Sequence, residues 1–385
     1  MSILFASTKI KNLEIPNRFV RSATFDAGAE NGFVSDWQLE LFRTLVKGGV
    51  GLIISGIFHV TDLVAKVSPV QNLLTSDEFI PGLKKLAAAV HEDGSRLAVQ
   101  IFHPGRESFR RLNPLGMEAP GPTQIKMGED PYFEGSCREM ASDEVWAIVK
   151  AFGDTARRVK EAGCDAVQIH GAHAYLVAEF LSPQSNRRND EWGGSLQNRL
   201  KLHTEIYKAI RAKVGEDYPV MIKLGVADGF PGGLQLEEGL NAAVQLAELG
   251  YDCIEVSQGL RGAKWGQTEF RDKITKRERE AYFRDWARLV KERVNVPVMM
   301  VGGIRSLDMM EAFVTNKEAD FISLCRPLIR EPDLVTSWRN GQSRQPTCIS
   351  CNKCFENVVG GNRLRCMVEK KIFDVVGEEG TVGPN

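Results

Sequence analysis

Eight short apolar, β-branched runs recur along the chain, and each is followed by an amphipathic stretch. The runs are 19–24, 50–57, 97–102, 166–170, 220–224, 254–257, 298–301 and 321–324. Most are too apolar for a sheet with one wet face, and they suit parallel strands buried on both sides. The stretches between them carry helix signals. Ser76 and Asp77 precede a pattern reaching Val90, Ser142 opens one to about Ala162, Ser195 opens 196–214, and Ser306 opens 307–314. Gly163 and Gly250 fall just past helix ends, where a left-handed residue is wanted. Alternating βα units in this number predict an α/β fold, a (β/α)8 TIM barrel over residues 1–340. An open doubly wound sheet is the alternative. Residues 341–385 form a cysteine-rich extension expected to pack on the barrel, and its last stretch, GEEGTVGPN, reads as a frayed end.

Composition narrows the function. The 385 residues carry 49 basic and 50 acidic side chains, a net charge of −1, with 43% apolar residues. That balance gives no reason to bind nucleic acid or an acidic membrane. No basic leader precedes an apolar core, and no window of about 18 apolar residues exists, so a cytoplasmic chain is expected. Thiols stay reduced there, and clustered cysteines read as metal ligands before disulfides.

Two insertions break the regular spacing, 103–140 and 259–280. Both leave C-terminal strand ends, the face where barrels build their sites, and both read as lids or binding loops. The second holds seven basic residues between Arg261 and Arg279. It suits a solvated lid, or contact with a nicotinamide phosphate or CoA-type tail.

The densest chemistry is IHGAHAYLVAEFLSPQSNRRNDEWGGSLQNR, which starts as the fourth strand ends. His170, His173 and Tyr175 should enter the barrel mouth. Two imidazoles aimed at one oxygen would stabilise an enolate, and a phenol could protonate carbon. A metal pair, or two satisfied loop histidines, are the competing readings. Lys223 ends the fifth strand and needs an anionic partner or an exit to solvent. Gly302 and Gly303 let a ligand approach the backbone closely, and Arg326 sits by the start of a short helix. The alternative for the glycine pair is a plain turn.

These residues, with KNLEIPNRFVRSAT, LAVQIFHPGR, VMMVGGIRS and ADFISLCRPLIREPDL, resemble the old yellow enzyme family of FMN-dependent ene-reductases over about residues 3–340. The resemblance implies FMN, NAD(P)H as reductant and a small-molecule substrate. It places Ser22, Ala23 and Thr24 along the flavin edges, and Gly56 and Gln100 at the pyrimidine ring. His170 and His173 fall on the substrate carbonyl, with His170 also among the flavin-binding residues, Tyr175 becomes the proton donor, and Lys223 faces N1 and O2. Gly302, Gly303, Cys325 and Arg326 hold the phosphate. The chain departs from the family pattern at Phe25, Ala174, Lys223 and Cys325. These changes bear on substrate range and flavin potential.

The tail spacing, Cys348-x2-Cys351-x2-Cys354-x11-Cys366, suits zinc or a [4Fe–4S] cube. It is similar to that of trimethylamine dehydrogenase and 2,4-dienoyl-CoA reductase, which implies a [4Fe–4S] cluster beside the barrel. An unoccupied relic is the third reading. Those relatives continue into nucleotide-binding domains, which the sequence is expected to lack, so a cluster here would call for an electron-transfer protein. A homo-oligomer is compatible with everything above. The same tail motivates a second function, an amine or C–H dehydrogenase passing electrons to a partner.

Overall fold

The structure is a computed structural model and describes residues 2–64, 68–109, 116–262 and 268–368. The final GEEGTVGPN lies outside the described residues.

Eight parallel strands close on themselves: β1 (Phe19–Arg21), β2 (Leu52–His59), β3 (Arg96–Phe102), β4 (Ala166–Gly171), β5 (Val220–Gly225), β6 (Cys253–Ser257), β7 (Val298–Met300) and β8 (Phe321–Leu324). Each pairs with its sequence neighbours, and β8 pairs with β1 to shut the ring. The barrel expectation therefore holds and the open sheet does not. The main outer helices are α1 (Asp36–Lys47), α2 (Ile80–His91), α3 (Ser142–Glu161), α4 (Leu176–Leu181), α5 (Lys201–Val214), α6 (Leu236–Leu249), α7 (Arg284–Lys291) and α8 (Leu307–Thr315). Short helices α9 (Arg326–Arg330), α10 (Leu334–Arg339) and α11 (Lys353–Val359) follow.

Local chemistry explains several ends. Ser35 caps α1, its hydroxyl accepting from the Gln38 amide while Gln38 reaches back to Ser35. Ser195 accepts from the Asn198 amide as expected, but the helix it opens, Leu196–Arg199, gives way at Leu200 before α5. Ser306 caps nothing with its side chain, because its hydroxyl donates to Glu280.

The interior is layered. Inward residues alternate along each strand. The lower layer is apolar: Val20, Ile54, Ala98, Ala166, Met221, Cys253, Met299 and Phe321. A hairpin missed in the sequence, Thr8–Ile10 with Leu13–Ile15, packs Ile10 and Ile15 against it and plugs the bottom. One step up each strand, two residues on, stand Ser22, Gln100, Gln168, Lys223, Glu255 and Ser323, all buried. A second, larger core joins the outer strand faces to the helices.

Of the insertion after β3, residues 110–115 lie outside the described residues. It folds onto α4 through Arg106, whose guanidinium pairs with Asp130 at 3.1 Å and lies 4.4 Å over the Phe133 ring. The Arg106 amide donates to Glu179. Both partners of the Arg106–Asp130 pair are fully buried. Removing one leaves an uncompensated charge, so Asp130→Ala is expected to cost about 3–5 kcal/mol. Urea unfolding of the two proteins measures it, and a loss under 1 kcal/mol (about the exposed-pair range) refutes the account.

Candidate active site

The C-terminal mouth of the barrel opens into a cavity of about 220 Å³. Ser22, Ala23, Thr24, Gln100, His170, His173, Tyr175, Lys223, Gly302, Gly303, Cys325 and Arg326 all line it. Of the residues singled out from sequence for this region, Gly56 alone is not on its wall. It lies where the register of β2 against β3 shifts, between Ile54 and Ile57. A Cβ there would come 3.0 Å from the Thr24 carbonyl oxygen. Gly56 therefore lets the chain after β1 approach β2, and Ile57 takes the place on the wall.

The His–His–Tyr group is built by the turn after β4. His173 and Ala174 both adopt left-handed backbone, φ 60° and 61°. This costs an alanine about 1 kcal/mol, which a glycine would not incur. Two backbone bonds hold the turn, His173 N to Gln258 O and Ala174 N to Gly259 O, at 3.0 and 3.1 Å. The His170 ring stands 4.9 Å from both His173 and Tyr175, nearly perpendicular to each. His170 Nδ1 accepts from the Ala172 amide, which leaves Nε2 as its donor. His173 Nε2 lies 2.8 Å from Ser257 Oγ, and its Nδ1 lies 3.9 Å from Glu269. Burial, reinforced by nearby cations, holds both imidazoles well below their ordinary pKa, so both are neutral.

Tyr175 packs edge-on to Phe102, and the Arg261 guanidinium sits 5.5 Å over its ring. Burial raises the phenol, while Arg261 pulls it back. Arg261 is held by Glu269 at 2.7 Å and Glu107 at 3.5 Å. The sequence placed Arg261 only in a basic loop. Its role beside Tyr175, with Glu269 and Ser257, could not be read from spacing, because the loop's path decides it. The second half of that chemistry-dense segment, residues 186–199, does not line the cavity. Asn186 donates to the carbonyls of Phe180 and Trp192, and Arg199 to those of Leu181 and Gly194, so the motif braces α4 behind Tyr175.

On the opposite side, Gly302 and Gly303 have φ 123° and 72°, and a Cβ on Gly303 would strike the Tyr282 ring at 2.8 Å. The Tyr282 ring sits under Arg271 at 4.5 Å. Arg326 donates to the Arg271 carbonyl and to Asn352 of the tail, at 2.8 and 2.6 Å. Ser323 Oγ and Arg305 Nε are buried, line the cavity and have no hydrogen-bond partner among the described residues.

The tail closes one wall. Phe355 stacks on Phe270, and Val358 and Leu364 join Ala27 and Ile329 in a small core. Cys348, Cys351, Cys354 and Cys366 line a second, smaller cavity, and Cys354 faces both. Burial pushes the Cys354 thiol up to about 12. The four thiols share this cavity without forming a closed cage. Among the described residues no three His, Cys, Asp or Glu side chains form a group that could hold a metal ion. No helix among them is long and apolar enough to cross a membrane.

Fold and cavity together define a (β/α)8-barrel protein with a cavity at its C-terminal mouth. The chain belongs to the NADH:flavin oxidoreductase / NADH oxidase family, whose model matches residues 3–345. It is 34% identical to an NADH oxidase of Thermoanaerobacter brockii, over 98% of this chain and 56% of that protein. It is equally 34% identical to an NADPH dehydrogenase of Geobacillus sp., over 86% of this chain and 92% of that protein. A 2-naphthoyl-CoA reductase solved with 2-naphthoyl-CoA superposes with a TM-score of 0.85 at 30% identity, over 95% of this chain and 57% of that one. The chain thus spans about half the length of several proteins it matches.

Membership implies FMN and NAD(P)H. The residues fit FMN: a glycine pair in left-handed backbone on the cavity wall, Arg326 on the same wall, unpartnered Ser323 and Arg305 atoms, and a buried ammonium on Lys223.

Proposed function

We propose that this protein is an FMN-dependent reductase of alkenes activated by a neighbouring carbonyl, with NAD(P)H as the electron source. The observation that carries the reading is the meeting of His170, His173 and Tyr175 with Lys223, Gly302, Gly303 and Arg326 in one buried cavity. Bound there, FMN would supply the hydride that reaches the β-carbon. Arg326 and the Gly302 and Gly303 amides would hold its phosphate, Gln100 and Lys223 its pyrimidine side, and Ser22, Ala23, Thr24 and Cys325 its remaining edges.

The protein's own groups perform the rest. His170 Nε2–H donates to the substrate carbonyl oxygen. With the Ser257 hydroxyl as donor to His173 Nε2, 2.8 Å away, Nδ1–H would be left for the same oxygen. Both rings are neutral, so they stabilise developing charge without giving up a proton. Tyr175 protonates the α-carbon: its O–H bond breaks, a C–H bond forms, and the phenolate left behind faces Arg261 until solvent returns the proton. The substrate class, a carbonyl-activated alkene, is also supported by the 2-naphthoyl-CoA reductase likeness.

Anaerobic spectroscopy tests the reading. The protein reconstituted with FMN should show flavin absorption near 450 nm (about the usual region) and bleach rapidly with NAD(P)H. Failure to take up flavin refutes it. A second reading, an amine or C–H dehydrogenase passing electrons to a partner protein, is favoured by Cys354 standing on both cavities. Bleaching by an amine and not by NAD(P)H would select it. We further propose a [4Fe–4S] group on the four tail thiols. As placed they do not form a closed cage, so no step is routed through them. Iron and acid-labile sulfide absent from anaerobically purified protein would dismiss this assignment.

A further inference from the structure

Glu255 is a buried carboxylate with no part in the steps above. It is the register partner of Lys223 on the neighbouring strand, one pair along from Ile222 and Ile254. Its Oε2 lies 3.2 Å from Lys223 Nζ. The same oxygen accepts from Gln168 Nε2 at 3.0 Å, and Oε1 accepts from Ser22 Oγ at 2.7 Å. Lys223 Nζ also donates to Ser22 Oγ at 2.9 Å. Gln168 in turn accepts from Gln100 Nε2 at 2.7 Å. One carboxylate therefore ties together Ser22, Gln100 and Lys223, three groups assigned to the flavin.

The charge arithmetic differs from a lone cation at that place. A buried ammonium beside the flavin would favour the anionic, reduced ring. Here the ammonium already has a full counter-charge within the barrel. The pair is neutral at a distance, and its pull on charge in the cavity above is that of a dipole. Glu255 is not on the cavity wall, so it acts through Lys223.

Building on the FMN reading, we propose that Glu255 is a positioning residue that sets the flavin's reduction potential, holding it low by compensating Lys223 and fixing the Ser22–Gln168–Gln100 network. The chain's lysine at this place is then one half of a tuned pair.

The test is a reductive titration of FMN-loaded protein against a reference dye. Glu255→Gln removes the charge and keeps the shape. It is expected to favour the reduced form about tenfold, a positive shift of about 30 mV for a two-electron couple. Lys223→Met in the Glu255→Gln background should cancel that gain. Glu255→Asp, which keeps a buried carboxylate but withdraws it from Nζ, should give a smaller shift of the same sign and serves where Glu255→Gln does not fold. A potential unchanged in the flavin-loaded variants overturns the role of Glu255 and leaves the FMN reading standing. A wild-type chain that takes up no flavin overturns that reading, and this inference with it.

Discussion

Replacing His170 and His173 together with alanine should abolish measurable alkene reduction while FMN remains bound. In the proposed reaction each imidazole contributes a donor to an oxygen that gains charge on the way to the transition state. Such donors are worth about 3–4 kcal/mol each in a water-excluded site. Their effects on one oxygen are coupled, so the double variant should lose less than the sum, though still about a thousandfold or more in kcat. The groups proposed to hold the phosphate and pyrimidine lie on other strands, so flavin absorbance should survive. Both rings have a pKa held well below 6.5. The wild-type rate should therefore show no acid limb at the usual imidazole pKa, because neither ring gains a proton as pH falls through about 6.5. Full turnover in the double variant, or an inflection at that pH which the variant lacks, would remove the assigned role.

Tyr175→Phe should separate the two halves of the reaction. The ring stays packed against Phe102 and beneath Arg261, and only the acidic proton is lost. General acids of this kind contribute about 10²–10⁴-fold. Alkene turnover should fall by that factor. Flavin bleaching by NAD(P)H, and onward reduction of an artificial one-electron acceptor, need no carbon protonation and should be unaffected. Stopped-flow traces of each half separate the outcomes. An equal fall in both halves would make Tyr175 a packing residue, and no fall in alkene turnover would assign the proton to another group.

Much of the architecture was legible because it rests on local rules. Parallel strands buried on both faces write themselves as continuous apolar runs, and 321–324 was placed to the residue. The hairpin at Thr8–Ile10 and Leu13–Ile15 was not legible. Its strands are three residues long, and only contact with the barrel floor stabilises them. Lys223 was visible as a charge in an apolar run. Glu255 interrupts its own strand in the same way, two positions after Cys253 and so on the inward face, and period-two counting would have found it. Gly56 lies off the cavity wall because its strand slips register there, and no sequence pattern reports a slip.

The chain alone determined that eight strands alternate with helices, that two imidazoles and a phenol leave the fourth strand together, and that four cysteines gather in the tail. These follow from periodicity and from spacing within single segments. Tertiary structure decided which distant groups face them. Arg261 over Tyr175, Ser257 on His173, Glu255 under Lys223 and Asn352 on Arg326 join residues from different strands and loops. The cause is barrel closure: it sets the register between neighbouring strands and brings their loops to one mouth, and neither is encoded within any one stretch of the chain.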